Sequence, residues 1–305
     1  MSERILISGA GGQLGTSLAV LAADRGRDVL ALTSSQWDIT DPAAAERNIR
    51  GGDVVINCAA YTNVDGAESD AAAAYAVNAT GPEHMARACG RAGARLIHVS
   101  TDYVFTAEPV TGEPPEAGPR PYEPSDETDA RGVYALSKLA GERAVLAALP
   151  DASQGIVVRT AWLYTGGTGK DFVAVMRRLA AGDGPVEVVD DQTGSPTYVA
   201  DLAVALLQVA DDGVPGPILH AANEGEVSRF GQARAVFEEC GADPDRVRPV
   251  STDQYPRPAP RPTYSALGSR ESAAAGLTPL RPWRPALVAA LSASPSDRPL
   301  PSTRD

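Results

Sequence analysis

The N-terminal stretch Arg4–Ala22 restricts the fold of this chain more than any other. Ile5-Leu6-Ile7 is a short apolar run of strand type. It leads into Ser8-Gly9-Ala10-Gly11-Gly12-Gln13-Leu14-Gly15, and then into a helical pattern through Leu18, Leu21 and Ala22. A strand, a glycine-rich turn and a helix in that order make a nucleotide-binding arrangement, because the helix N-terminus presents unpaired N–H groups to a phosphate. The glycines fall as Gly9-x-x-Gly12-x-x-Gly15. Gly9 permits the tight turn, Gly12 lets the backbone approach a pyrophosphate, and Gly15 lets the helix pack close to the strand. A dinucleotide site is therefore expected at the start of the chain.

The following segments repeat the alternation. Asp28–Leu32 is a second strand, and Thr33-Ser34-Ser35 stands where a NAD-selective site carries an acid. Without a carboxylate to repel a 2′-phosphate, Thr33 leans toward NADPH or toward acceptance of both cofactors. Asp38 is a candidate for the adenine amine, and Asp41-Pro42 reads as a helix start. Asp53–Asn57 is a third strand that runs off into the small residues Cys58-Ala59-Ala60 before Tyr61-Thr62. A helix is expected through Ala67–Gly90, with Asn78 inside it and Pro82 near a break. Arg95–Val99 is a fourth strand, with His98 structural, and it ends at Ser100-Thr101-Asp102-Tyr103. Hydroxyls and a carboxylate at the C-terminal end of a parallel strand lie where such sheets bind ligands. Thr106–Asp129, rich in Pro, Gly and Glu, reads as a long irregular loop. A helix over 132–149 and a fifth strand at Ile156–Thr160 complete a parallel, doubly wound α/β sheet of Rossmann type.

Within that last helix sits Tyr134-x-x-x-Lys138. Residues four apart share a helix face, so a phenol and an ammonium project side by side. The cation would favour the phenolate and draw the tyrosine pKa toward working pH, making it a proton donor to a carbonyl or an acceptor from an alcohol. Beyond residue 165 the pattern becomes mixed. A helix is marked by Phe172, Met176, Leu179 and Ala180, a strand lies at Val186–Val189, and a polar loop at Asp190–Thr197 follows. A helix from Val199 through Leu207 is placed to pack back on the sheet, Ile218–Ala222 is strand-like, and Phe230–Cys240 is helical. Tyr255–Ser265 is proline-rich and carries Arg257 and Arg261, candidates for a phosphate contact.

Composition narrows the partners. The formal charge of -12 disfavours nucleic acid and anionic membranes, and no run of 18 apolar residues is present. The chain begins directly with the first strand, so a cytoplasmic protein is expected. Cys58, Cys89 and Cys240 are scattered, with no metal-binding spacing among them, and reduced thiols are expected.

Together the glycine turn, the Ser100–Phe105 strand end and the Tyr134/Lys138 pair resemble the extended short-chain dehydrogenase/reductase superfamily. Within it the chain is similar to the dTDP-4-dehydrorhamnose reductase family. That likeness is carried by Gly12–Gly15, Asn57–Asp65 with Glu68, Val77–Thr80, Arg159–Tyr164, Asp191–Thr197 and Arg261-Pro262-x-x-Ser265. It implies a dinucleotide-binding domain over 1–165, with 198–211 packing back on it. It also implies a smaller C-terminal α/β substrate domain over 166–291, while the polar stretch 292–305, with Pro and Ser, reads as a disordered tail. The implied activity is reduction of the C4 ketone of dTDP-4-dehydro-β-L-rhamnose by NADPH or NADH. Tyr134 would give the proton, Lys138 would hold the nicotinamide ribose, and Thr101 would hydrogen-bond the carbonyl oxygen. Gly9, Gly12, Gln13, Leu14, Thr33, Asp38, Ile39, Ala60, Tyr61, Thr62 and Asn78 would bind the cofactor with Tyr134 and Lys138. Thr101, Asp102, Trp162, Gln192 and Arg261 would bind the dTDP-4-keto-6-deoxysugar. Some members hold Mg²⁺ through acidic residues that support a dimer; Ser17 stands at one such position, so no metal is expected and a homodimer is left open. Two alternatives stand at this point: a ketoreductase for another dTDP-4-keto-6-deoxysugar of secondary metabolism, such as dihydrostreptose or a macrolide sugar, and a non-catalytic cofactor-binding regulatory subunit.

Overall fold

The computed structural model describes residues 3–106, 119–167 and 169–293. The middle of the proline-rich loop and nearly all of the expected tail lie outside them. Ile5–Ser8 (β1), Val29–Leu32 (β2), Val54–Asn57 (β3), Arg95–Thr101 (β4), Gly155–Thr160 (β5) and Ile218–His220 (β6) form one sheet in the order β6-β5-β4-β3-β1-β2. All five pairings are parallel. The strand expected at Ile218–Ala222 is placed by the structure in this same sheet as β6, at its edge, where His220 stands opposite Arg159.

Side chains alternate between faces along a strand, and here both faces are covered, which is why the strands read as unbroken apolar runs. Ile5 and Ile7 of β1, Val54 and Ile56 of β3 and Ile97 of β4 join Leu14 and Leu18 of the first helix, Gln13–Asp24. Leu6, Val55 and Leu96 face the other way, onto Trp37, Met85, Cys89, Val145 and Leu149. The helix Val199–Asp212 lies on the first of these faces. Its Leu202, Leu206, Leu207 and Val209 are wholly buried there. At roughly 1.5–3 kcal/mol for each such side chain, this contact holds the segment firmly against the sheet.

The helix expected over 67–90 is in fact several segments. Asn63 caps Val64–Ser69 by accepting from the Gly66 N–H, and Asp70 interrupts by accepting from the Ala73 N–H. Short polar side chains compete for backbone groups in this way. A π-helical turn, Ala76–Thr80, follows, and Gly81–Ala92 resumes with Pro82 in its first turn. π-turns re-aim the residues they contain, and here the residue is Asn78.

The remaining chain builds a second apolar cluster around Val173, Met176, Val188, Val236, Phe237 and Leu287. Val186–Val189 pairs in parallel with Val247–Val250. Thr193–Gly194 pairs antiparallel with Val227–Ser228, and Leu163–Tyr164 pairs with Thr197–Tyr198. No helix among the described residues is long and apolar enough to cross a membrane.

Candidate active site

The strand order reverses between β1 and β3, and a cleft of about 990 Å³ opens at the C-terminal ends of the strands there, as parallel sheets of this winding require. Gly9 sits at φ 70°, and a Cβ on it would come within 2.6 Å of the Ala59 nitrogen. A Cβ on Gly15 would overlap the Gly9 carbonyl and the Ala10 Cα. Only glycine fits either position, so the turn lies flat over the end of β3. Gly12 caps a helix whose first turn holds no acid, leaving its positive end free for an anion. Beneath the turn, Ser8 Oγ donates to Asn57 Oδ1 (2.7 Å), and Asn57 Nδ2 donates to His98 Nδ1 (3.0 Å). Burial keeps His98 neutral by lowering its pKa well below the usual value. This wholly buried chain ties β1, β3 and β4 together under the site. The cleft is a cradle that a dinucleotide fits, and Gly9, Gly12, Gln13, Leu14, Thr33, Asp38, Ile39, Ala60, Tyr61 and Thr62 all line it. Asn78 lies one layer behind. Its Oδ1 accepts from the Tyr61 N–H, and its Nδ2 donates to the Tyr61 carbonyl and to Ser137 Oγ.

Thr101, Asp102, Tyr134, Lys138 and Trp162 line the same cleft. The helix Val133–Ala148 starts at Gly132, φ 82°, and Glu68 Oε1 accepts its first N–H, from Val133, at 2.8 Å. A carboxylate at that end suits the helix dipole and fixes where Tyr134 begins. Ser137 Oγ donates to the Tyr134 carbonyl, so Asn78 and Ser137 join the π-turn to the first turn of this helix. Lys138 Nζ donates to the Val99 carbonyl at 2.7 Å. Burial lowers Lys138 to about 8, against the opposing charge of Glu142. Tyr134 departs from the sequence expectation: burial raises its pKa, and a hydrogen bond with Thr101 only partly draws it back. With the ammonium engaged by Val99, desolvation of the phenol dominates. A phenol held neutral at working pH is the acid form that a ketone reduction consumes.

Thr101 Oγ1 donates to Asp102 Oδ1 (3.1 Å), and Ser265 Oγ donates to Asp102 Oδ2 (2.6 Å). Burial pushes Asp102 up to about 6 against both of these bonds and the charge of Arg229. Behind β4, Ser100 Oγ donates to Glu142 Oε1, and Arg159 clamps both Glu142 oxygens, with Nη2 at 2.7 Å from Oε2. Both members of that pair are 2% exposed. The strand end that presents Thr101 is thereby locked to the helix that presents Tyr134.

Trp162 is the one non-glycine residue with positive φ (47°) among the described residues. Such backbone costs on the order of 1–3 kcal/mol and clusters at functional sites. Its indole is clamped between Gly194, where a Cβ would lie 2.6 Å from Cε2, and the Arg229 guanidinium, 3.4 Å from the ring centroid. Two expected ligand residues stand outside the cleft lining: Gln192 Nε2 donates to Thr252 Oγ1, and Arg261 is paired with Asp65 at 2.9 Å and donates to the Ala259 carbonyl. Arg229, Lys170 and Asp171 line the cleft instead, and none was singled out from the sequence. Asp171 Oδ2 accepts from Gln13 Nε2, joining the glycine turn to the segment before the helix Phe172–Ala180. Arg229 is turned inward by the two-residue pairing of Ser228 with Thr193, with its own N–H on the Gln192 carbonyl. No local pattern announces so short a strand.

Residues 3–295 match the family described as RmlD substrate binding domain. The chain is 74% identical over 308 aligned residues to the dTDP-4-dehydrorhamnose reductase of Mycobacterium tuberculosis (strain H37Rv), covering 100% of this chain and 99% of that protein. The structure of a dTDP-4-dehydrorhamnose reductase from Clostridium acetobutylicum superposes with a TM-score of 0.85 at 36% identity, covering 94% of this chain and 98% of that one. The dTDP-4-dehydrorhamnose reductase of Bacillus anthracis in complex with NADP superposes with a TM-score of 0.83 at 35% identity, with the same coverage. The glycine cradle, the Thr101–Tyr134–Lys138 wall and this likeness along the whole chain agree: the chain belongs to the dTDP-4-dehydrorhamnose reductase family.

Proposed function

We propose that this protein is an NADPH-dependent reductase of the C4 ketone of dTDP-4-dehydro-β-L-rhamnose, yielding dTDP-L-rhamnose. The observation that carries this reading is the meeting of Thr101, Tyr134 and Lys138 in the cleft bounded by Gly9, Gly12 and Gly15. The 74% identity to the M. tuberculosis enzyme supports the substrate. Thr33, at the end of β2 with Ser35 and Gln36 on its hydroxyl, places no carboxylate against a 2′-phosphate, which supports NADPH.

When bound, the reduced nicotinamide supplies a hydride to the C4 carbon. Tyr134 gives its phenolic proton to the carbonyl oxygen, and its raised pKa keeps that proton in place until charge develops there. Thr101 orients the same oxygen, its own hydroxyl held by Asp102. Lys138, fixed by the Val99 carbonyl, holds the ribose hydroxyls and compensates the phenolate left behind. Trp162 forms a wall for the sugar. The non-catalytic alternative has no support in a site with all three groups present.

The test is incubation with NADPH and the keto sugar, with the product identified by NMR. Consumption of NADPH with formation of dTDP-L-rhamnose is expected. Consumption only with a differently configured keto sugar would overturn the substrate assignment.

A further inference from the structure

Arg229 carries a positive charge that no carboxylate among the described residues pairs with directly, although Asp102 and Tyr103 act on it through space. Its guanidinium is enclosed by the Trp162 ring at 3.4 Å and the Phe172 ring at 5.0 Å. Its one side-chain hydrogen bond among the described residues is a long contact, 3.4 Å, from Nη1 to Gln232 Oε1. Among the described residues no carboxylate lies within ion-pair distance of it, whereas Arg261, which looked the better phosphate ligand in the sequence, is committed to Asp65. A half-buried charge without an ion-pair partner is costly, so the position makes physical sense when a ligand supplies the anion. The cleft has few other cations to offer: Lys138 is bound to the Val99 carbonyl, and Lys170 stands near the glycine turn beside Asp171. On a chain of net charge -12, an anionic substrate must be drawn in by such a local cation.

We propose that Arg229 binds the diphosphate of the nucleotide-sugar substrate and, by stacking on Trp162, couples that contact to the wall that positions the sugar. This rests on the nucleotide-sugar reading above and names the residue that recognises the diphosphate. Guanidinium donors match phosphate oxygens in pairs, and the stacked face leaves the donor edge of the plane for them. Burial lowers Arg229 to about 10, so the group stays cationic throughout the working range.

The experiment is calorimetric titration of the NADPH-loaded protein with dTDP and, separately, with thymidine. In wild type dTDP should bind far more tightly. In Arg229→Gln dTDP affinity should fall roughly 10- to 100-fold, the range for a lost charge-assisted hydrogen-bond pair, while thymidine and NADPH affinities stay within about 3-fold. Arg229→Lys, which keeps the charge but not the planar fork, should lie between, and it serves if the glutamine variant fails to fold. Equal loss of dTDP and thymidine would make Arg229 only a support for Trp162 and overturn the proposal, as would unchanged dTDP affinity. Failure of the wild type to bind dTDP at all would instead overturn the nucleotide-sugar reading.

Discussion

Replacing Gly194 by alanine should damage substrate handling without touching the cofactor site. A Cβ there meets Trp162 Cε2 at 2.6 Å, Cζ2 at 2.7 Å and Nε1 at 2.9 Å. That is about 0.4 Å inside the closest approach of real Cβ atoms and about 0.8 Å inside ordinary contact. The indole cannot simply retreat, because Arg229 lies 3.4 Å from its ring centroid and the Trp162 backbone is already in the left-handed region. Overpacking of this kind costs typically about 1–3 kcal/mol, which for a chain of this size lowers the melting temperature by several degrees at roughly 2–4 °C per kcal/mol. A displacement approaching 1 Å in a positioning group costs up to about 10²-fold in turnover. The assay is thermal unfolding together with steady-state kinetics in both substrates. kcat/KM for the nucleotide sugar should fall roughly 10- to 100-fold while the KM for NADPH holds. Gly184, which has open space where a Cβ would stand, gives the control: Gly184→Ala should match wild type in both assays. A Gly194→Ala protein with unchanged melting temperature and unchanged sugar kinetics would refute the picture of Trp162 as a clamped wall.

Tyr134→Phe should lose about 10²–10⁴-fold in kcat while binding NADPH with wild-type affinity by fluorescence titration; near-normal turnover would remove Tyr134 from the proton-donor role. Asp102 is protonated more readily folded than unfolded, since burial pushes it up to about 6 from about 3.9 in the open chain. Its charge therefore opposes folding above pH 6 by about 3 kcal/mol, at about 1.4 kcal/mol per pH unit, and not at all below about pH 4. Asp102→Asn should melt higher than wild type at pH 7, with the gap closing as pH falls from 6 toward 4; a gap independent of pH would contradict this. Lys138 titrates near 8 in the free protein, so kcat/KM for NADPH should decline as the ammonium is lost above that pH. In Lys138→Arg the decline should vanish, even at a lower absolute rate. Glu142→Gln leaves Arg159 buried without its countercharge and should cost on the order of 3–5 kcal/mol, measured by urea unfolding.

The sequence by itself determined what is written in short-range spacing. The apolar runs at Ile5, Val54, Leu96 and Ile156 specify buried parallel strands, the triplet spacing of Gly9, Gly12 and Gly15 specifies the cradle, and the four-residue step from Tyr134 to Lys138 places both on one helix face. Each is a local pattern whose geometry follows from strand and helix periods. Only the tertiary structure decided which cations are free. In the chain Arg261 stands out as the phosphate ligand and Arg229 does not, but a fold contact gives Asp65 to the first and two aromatic rings to the second. It also decided that β6 completes the sheet, that Asn78 works from behind the cleft wall, and that burial outweighs the Thr101 hydrogen bond at the Tyr134 phenol. These depend on residues brought together from distant parts of the chain, by pairings as short as two residues, and on the water such packing removes.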